Sequence, residues 1–282
     1  MMSSERLKAL IRNKAKALNI NSNIILRRVI FEFFLEKLSI SKYADKFIIK
    51  GGFLISSLAN IELRTTLDLD VTLKALALNK TDLELMIKDI ISIPTNELLE
   101  MQLVTIDEIH EGAEYPGFRV SIIIRFDTII EQIKIDFTTG DILTPKEINF
   151  YYQTLFDDKV IKLKSYNIET VLAEKLETVF SRGVLNTRMR DYYDIFILFQ
   201  LKDNKVNLSL LKSAFNNTSK SRNTYEHISI NIMPTLNDII NDQTLKKMWH
   251  LYQQNYPYAK EVEWDMVMSR LKEISNILIS EL

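Results

Sequence analysis

The chain has 282 residues, 46% hydrophobic and 26% charged, with a net charge of −1, and is long enough for roughly two domains with substantial cores. The absence of cysteine excludes disulfides, thiolate catalysis and cysteine-ligated zinc. The isolated His110, His227 and His250, with no H-E-x-x-H and no G-x-S-x-G, weigh against a metalloprotease or a serine hydrolase. No apolar run reaches the roughly 18 residues of a membrane span, and the opening Met1-Met2-Ser3-Ser4-Glu5-Arg6 has no apolar signal core, so a cytoplasmic protein without a membrane partner is expected.

Ser4 caps a predicted helix over 5–18, with Leu7, Leu10, Ile11, Ala15 and Leu18 on one face. Asn21 or Ser22 caps a second helix to about Leu38, with Ile25, Val29 and Phe33 towards a core. Both lie in a basic stretch, because residues 1–50 carry 11 Lys and Arg against 4 acids, a balance of +7 against −8 for the rest. That gradient suits an RNA-facing surface and equally a set of solvated helix faces. Phe47–Ile49 reads as a short buried strand, Phe53–Ala59 as a short helix opened by Gly51-Gly52, Leu67–Leu73 as a strand, and 82–92 as a helix capped by Thr81. Arg119–Phe126 and Gln132–Phe137 alternate apolar and polar residues and form a predicted hairpin joined at Asp127–Glu131. From about residue 165 the pattern is helical: 168–182, 188–201, 207–216, 235–255 and 264–281, with Asn216–Asn223 as a polar loop. The boundary between a mixed α/β domain and a helical domain is expected near 160–167.

Two aspartates, Asp68 and Asp70, alternate with Leu67, Leu69 and Val71 in the predicted strand, so both carboxylates share a face, roughly 7 Å apart. Aspartate is disfavoured in strands, and two like charges on one face repel; a divalent cation bound by carboxylate oxygens reverses that cost. Taken alone, the pair fits an ordinary strand with a solvated acidic face as well. Asp136, on the polar face of the second hairpin strand, adds a third carboxylate if the strands are neighbours. The chain has six glycines, and Gly51-Gly52 is the one adjacent pair. There is no G-x-x-x-x-G-K-[ST] and no G-x-G-x-x-G, so any phosphate-holding turn falls at Lys50-Gly51-Gly52.

In the helical part, Lys175 and Arg182 flank an apolar stripe of Leu172, Leu176 and Val179, and Asp191 and Asp194 share a helical face. A lysine can offset triphosphate charge as a compact cation. Simple ion pairing, for example Arg190 with Asp194, accounts for the same residues.

Together, Phe47-Ile48-Ile49-Lys50-Gly51-Gly52-Phe53, Arg64-Thr65-Thr66-Leu67-Asp68-Leu69-Asp70, Ile133-Lys134-Ile135-Asp136-Phe137, Ala173-Glu174-Lys175, Arg182, Arg190-Asp191-Tyr192-Tyr193-Asp194, Trp249-His250-Leu251-Tyr252 and Tyr258-Ala259 resemble the AbiEii/AbiGii nucleotidyltransferase toxins, related to the MenT toxins and more distantly to polymerase-β-like nucleotidyltransferases. The resemblance implies an α+β fold with a mixed, antiparallel-rich nucleotidyltransferase sheet and flanking helices in residues 1–165, and a C-terminal helical bundle in 166–282 that completes the active-site cleft. It implies transfer of NMP from an NTP with release of pyrophosphate, Mg²⁺ as cofactor (two ions), the 3′ end of tRNA as acceptor, and a separately encoded winged-helix antitoxin in a toxin–antitoxin or phage-defence setting. It assigns Asp68 and Asp70 to metal binding with Asp136 as a third carboxylate, and Lys175 and Asp191 to catalysis. Lys50, Gly51, Gly52, Arg64, Thr66 and Arg182 fall to nucleotide binding. Where many polymerase-β-like enzymes have Gly-Ser, this chain has Gly-Gly, leaving backbone N–H groups for phosphate contacts. Two other readings remain: NMP transfer to a protein or small-molecule hydroxyl, and nucleotide binding without turnover.

Overall fold

In the computed structural model, which describes residues 3–59, 68–74, 79–109, 117–201 and 206–280, helix α1 (Ser4–Leu18) starts one residue before the expected place. Ser3 is the cap, its hydroxyl accepting the Arg6 N–H at 3.3 Å. Ser4 is instead buried, with its hydroxyl turned to Asp127 and Thr128. Asn21 caps α2 (Ser22–Ser39). This helix buries Ile25, Val29, Ile30, Phe31, Phe34, Leu35 and Leu38, a stripe too wide for a surface helix, because it lies along the sheet. Asn79, not Thr81, caps α4 (Lys80–Ser92), accepting the Asp82 N–H at 2.8 Å.

The sheet has seven strands among the described residues: β1 (Phe47–Lys50), β2 (Asp68–Leu73), β3 (Leu99–Ile109), β4 (Gly117–Phe126), β5 (Ile129–Thr138), β6 (Ile148–Gln153) and β7 (Val160–Ser165). Their order is β3-β4-β5-β2-β1-β7-β6. The β5–β2 and β1–β7 pairs are parallel and the rest antiparallel. The expected mixed, antiparallel-rich sheet is present, extended by β3, β6 and β7, which the sequence pattern did not mark. The β4–β5 connection is the two-residue turn Asp127–Thr128, with Asp127 at φ 52°. β1 runs into α3 (Gly51–Leu58) without a loop. Ile49, Leu69, Val71, Val120, Ile122, Ile133, Ile135 and Phe137 are fully or almost fully buried, so the strands nearest the two aspartates are the best-packed part of the sheet.

By contacts the chain divides into two units: Met1–Ser57, Glu62–Asp141 and Ile148–Ser165 in one, and Leu58–Ile61, Ile142–Glu147 and Tyr166–Leu282 in the other. The second is helical: α5 (Ile168–Arg182), α6 (Met189–Gln200), α7 (Leu208–Ser221), α8 (Tyr225–Asn241), α9 (Gln243–Asn255) and α10 (Trp264–Ile279). Two expectations are corrected here. The stretch read as the loop Asn216–Asn223 is mostly the end of α7, and the helix read over 235–255 is two helices that meet at Asp242, whose carboxylate accepts the Leu245 N–H at 2.7 Å. Its core joins Leu172, Leu176, Phe180, Ile195, Phe199, Leu236 and Leu271 to an aromatic group of Tyr192, Trp249 and Trp264.

Candidate active site

The junction of β1 and α3 brings Lys50, Gly51 and Gly52 against Asp70. Lys50 lies opposite Asp70 in the antiparallel β1–β2 register. Gly51 has φ +62°, and a Cβ there would stand 1.9 Å from Asp70 Oδ2, so both conformation and space require glycine. The Gly52 N–H donates to the same oxygen at 3.4 Å. Burial pushes the Asp70 carboxyl above the usual carboxylate range. Lys50 and the Gly52 N–H oppose the shift, while Asp136 and Asp68 add to it by like-charge repulsion.

Asp136 comes beside Asp70 because β2 and β5 pair in parallel, Asp70 level with Asp136 and Asp68 level with Lys134. The hairpin register puts Arg119 of β4 opposite Asp136. Its guanidinium grips that carboxylate with both prongs, Nε to Oδ1 and Nη2 to Oδ2, each at 2.7 Å, and also reaches Asp68 Oδ2 at 3.5 Å. The hydrogen bonds to Asp136 hold Arg119 even further towards its protonated form. Both oxygens of Asp136 are thus engaged by a cation of the chain itself. Among the described residues no group of three or more His, Cys, Asp or Glu is arranged to hold a metal ion. What remains suited to one is the pair Asp68 and Asp70, mutually repelling and partly open to solvent. Mg²⁺ is commonly held by one or two carboxylates, with substrate phosphates and water completing its shell.

A second cluster supports Lys50. Its ammonium lies 2.5 Å from Asp141 Oδ2, and that oxygen also accepts the hydroxyls of Thr72 and, at 2.8 Å, Thr138. Burial alone would push Asp141 up, but the charge of Lys50 and these three donors outweigh it and bring the carboxyl to about 2. Neither Arg119 nor Asp141 stood out in the sequence. Arg119 is legible only once the hairpin turn is placed at Asp127–Thr128, and Asp141 follows a Thr-Thr-Gly with no motif around it.

In the helical unit, Lys175 of α5 lies 2.8 Å from Asp191 Oδ1 and 2.8 Å from Asp194 Oδ2, both on α6, with Asp194 fully buried. The three-residue spacing read on one helical face therefore serves one lysine. Arg190 lies over the ring of Tyr256, 5.5 Å from its centre, with Asp194 among the charges that act on it. Arg182 is exposed in the last turn of α5. A cavity of about 470 Å³ is lined by Arg188, Arg190, Asp191, Met248, Tyr252 and Tyr256, among others. Arg64 and Thr66, and with them the first residue of the expected strand, Leu67, lie outside the described residues.

The sequence model of the family described as "Nucleotidyl transferase AbiEii toxin, Type IV TA system" matches residues 34–270. The chain therefore belongs to this family of nucleotidyltransferase toxins, whose type IV toxin–antitoxin setting implies a nucleotide substrate and an antitoxin partner. Among solved structures the chain is similar to JHP933 from Helicobacter pylori, at 15% identity and TM-score 0.48, covering 92% of this chain and 93% of that one. It is similar also to an antigenic nucleotidyltransferase-like protein from Paracoccidioides brasiliensis, at 16% identity and TM-score 0.37, covering 80% of this chain and 93% of that one. Both likenesses are distant, and the family assignment does not rest on them. No curated protein matches the sequence.

Proposed function

We propose that the protein transfers NMP from an NTP to the 3′ end of tRNA in the cytoplasm, with Mg²⁺ as cofactor, and so blocks translation until a winged-helix antitoxin or its equivalent relieves it. The observation that carries this reading is Asp70: an aspartate in a central strand, crowded by two further carboxylates and seated against the Gly51-Gly52 turn. Lys50 and Arg119 offset part of this charge, and a positively charged ligand with a phosphate partner accounts for the remainder.

The acceptor 3′-oxygen would form a bond to the α-phosphorus of the NTP as the bond from that phosphorus to the β-phosphate oxygen breaks, and pyrophosphate leaves with the electron pair. A divalent cation held by Asp68 and Asp70 would supply charge neutralisation at the phosphates and ease loss of the hydroxyl proton. Gly51 lets the backbone approach closely, and the Gly52 N–H at the start of α3 donates to Asp70. Lys50, held by Asp141, sets a fixed positive charge beside Asp70. Lys175, fixed by two carboxylates, is proposed as a cation that the reaction needs, with Asp191 holding it in place. Asp136 would act through Arg119 rather than as a metal ligand.

The acceptor is tested by adding each labelled NTP to a cell lysate containing the protein, with and without RNase. Label that RNase removes supports RNA as acceptor, whereas label that survives on protein or small molecules selects the alternative hydroxyls. Lys175→Ala is expected to lose transfer with its fold intact by circular dichroism; full activity in that variant would return Lys175 to simple ion pairing.

A further inference from the structure

The side chain of Arg119 lies among the three carboxylates. It makes a two-pronged ion pair with Asp136 and reaches Asp68 Oδ2 at 3.5 Å. Asp68 and Arg119 are each about one-third exposed, at 35% and 36% of side-chain surface, whereas Asp136 is only 17% exposed. The grip on Asp136 is the shorter and more shielded, and the reach to Asp68 is longer and more open to water. This asymmetry is what a movable counter-charge requires: one carboxylate anchors the guanidinium and the other is lent to it.

We propose that Arg119 is a built-in counter-cation of the carboxylate cluster, which occupies Asp68 in the metal-free protein and which a divalent cation must displace from Asp68 while Asp136 retains it. The inference rests on the reading of Asp68 and Asp70 as metal ligands. It gives Asp136 a positioning role, because that carboxylate determines where the guanidinium goes when it leaves Asp68. Like-charge repulsion between a guanidinium and a divalent cation a few ångströms apart makes the two occupants of Asp68 mutually exclusive in energy. The metal-free sheet then keeps its packing without an uncompensated carboxylate cluster.

The test is Mn²⁺ binding, read as free Mn²⁺ by electron paramagnetic resonance, with no nucleotide present. Arg119→Met keeps the apolar stem of the side chain and removes the charge, and it should tighten Mn²⁺ by about tenfold or more. Its metal-free form should melt earlier and gain more from Mn²⁺ than the wild type. Arg119→Lys, which keeps a charge without the two-pronged grip, should fall between. Should Arg119→Met fold poorly, Asp136→Asn provides the converse: with its anchor weakened, Arg119 turns to Asp68 and Mn²⁺ binds more weakly, and adding Arg119→Met to Asp136→Asn restores binding. Wild-type binding that Asp68→Asn and Asp70→Asn abolish, with no tightening in Arg119→Met and no restoration in the double variant, overturns the proposal alone. No Mn²⁺ binding by the wild type or by any Arg119 variant overturns the metal reading and the proposal together.

Discussion

At Gly51 two requirements coincide: a backbone at φ +62° and an Asp70 oxygen in the space where a Cβ would be. Gly51→Ala is therefore expected to displace Asp70 as well as strain the turn, abolishing transfer at a stability cost of about 1–2 kcal/mol; wild-type activity in this variant would mean that the turn does not set Asp70. Away from the site, Glu32 is buried on α2, where its Oε1 accepts the Tyr152 hydroxyl at 2.6 Å and the Leu155 N–H at 3.2 Å. Burial raises its carboxyl to about 7 despite those donors and the nearby Arg28. The folded state then binds a proton that the unfolded chain has lost. The contribution is fully present below about 4.5 and disappears as pH rises through about 7. Urea unfolding should show the wild type losing on the order of 3 kcal/mol between about pH 5 and about pH 8 relative to Glu32→Gln, which keeps the acceptor oxygen. Parallel pH profiles for the two proteins would remove Glu32 as the cause. At this scale the sequence displays the residues whose type is unusual for their place, such as aspartates in a strand and a glycine pair. It hides Arg119 and Asp141, which are ordinary residues given meaning by their neighbours across the sheet.

The β4–β5 hairpin shows why register, rather than strand content, was the harder element to read. Both strands are plain from alternation. A connection spanning Asp127–Glu131 leaves their pairing open, whereas the observed turn at Asp127–Thr128 fixes Arg119 opposite Asp136. The strands that went unread have physical reasons of their own. β3 and β6 are the two edges of the sheet and are exposed along most of their length, so neither carries a clean apolar face. The polar end of α7 is helical because Thr218 and Ser219 are buried against the core, the Ser219 hydroxyl being satisfied by the Phe215 carbonyl at 2.8 Å. In α5, by contrast, the bounds were legible, because a capping residue precedes a strict apolar stripe. Asn167 accepts the Thr170 N–H at 2.7 Å and donates to the Thr144 carbonyl at 2.7 Å, fixing the start of the helix that carries Lys175. Asn167→Ala should cost about 1–2 kcal/mol in denaturant unfolding, and an unchanged midpoint would show that the helix start is held by packing alone.

For the whole molecule, the family match over residues 34–270 and the mixed sheet with its helical companion unit define a nucleotidyltransferase toxin. Balanced total charge conceals a basic N-terminal stretch, +7 over residues 1–50, within which Lys37 is buried, Lys50 is held by Asp141 and Arg28 donates to the Tyr152 hydroxyl. Carboxylates and the glycine turn belong to the sheet unit, where strand geometry holds charges at fixed spacing. The lysine with its two aspartates belongs to the helical unit, where spacing along α6 lets two carboxylates serve one cation. The most direct measurement combines purified protein, Mg²⁺, total tRNA and each of the α-labelled NTPs in turn, for the wild type and Asp70→Asn. The expected result is label joined to the tRNA 3′ end with stoichiometric pyrophosphate from the wild type and none above background from Asp70→Asn. Absence of transfer with every NTP, or equal transfer by both proteins, would contradict the account.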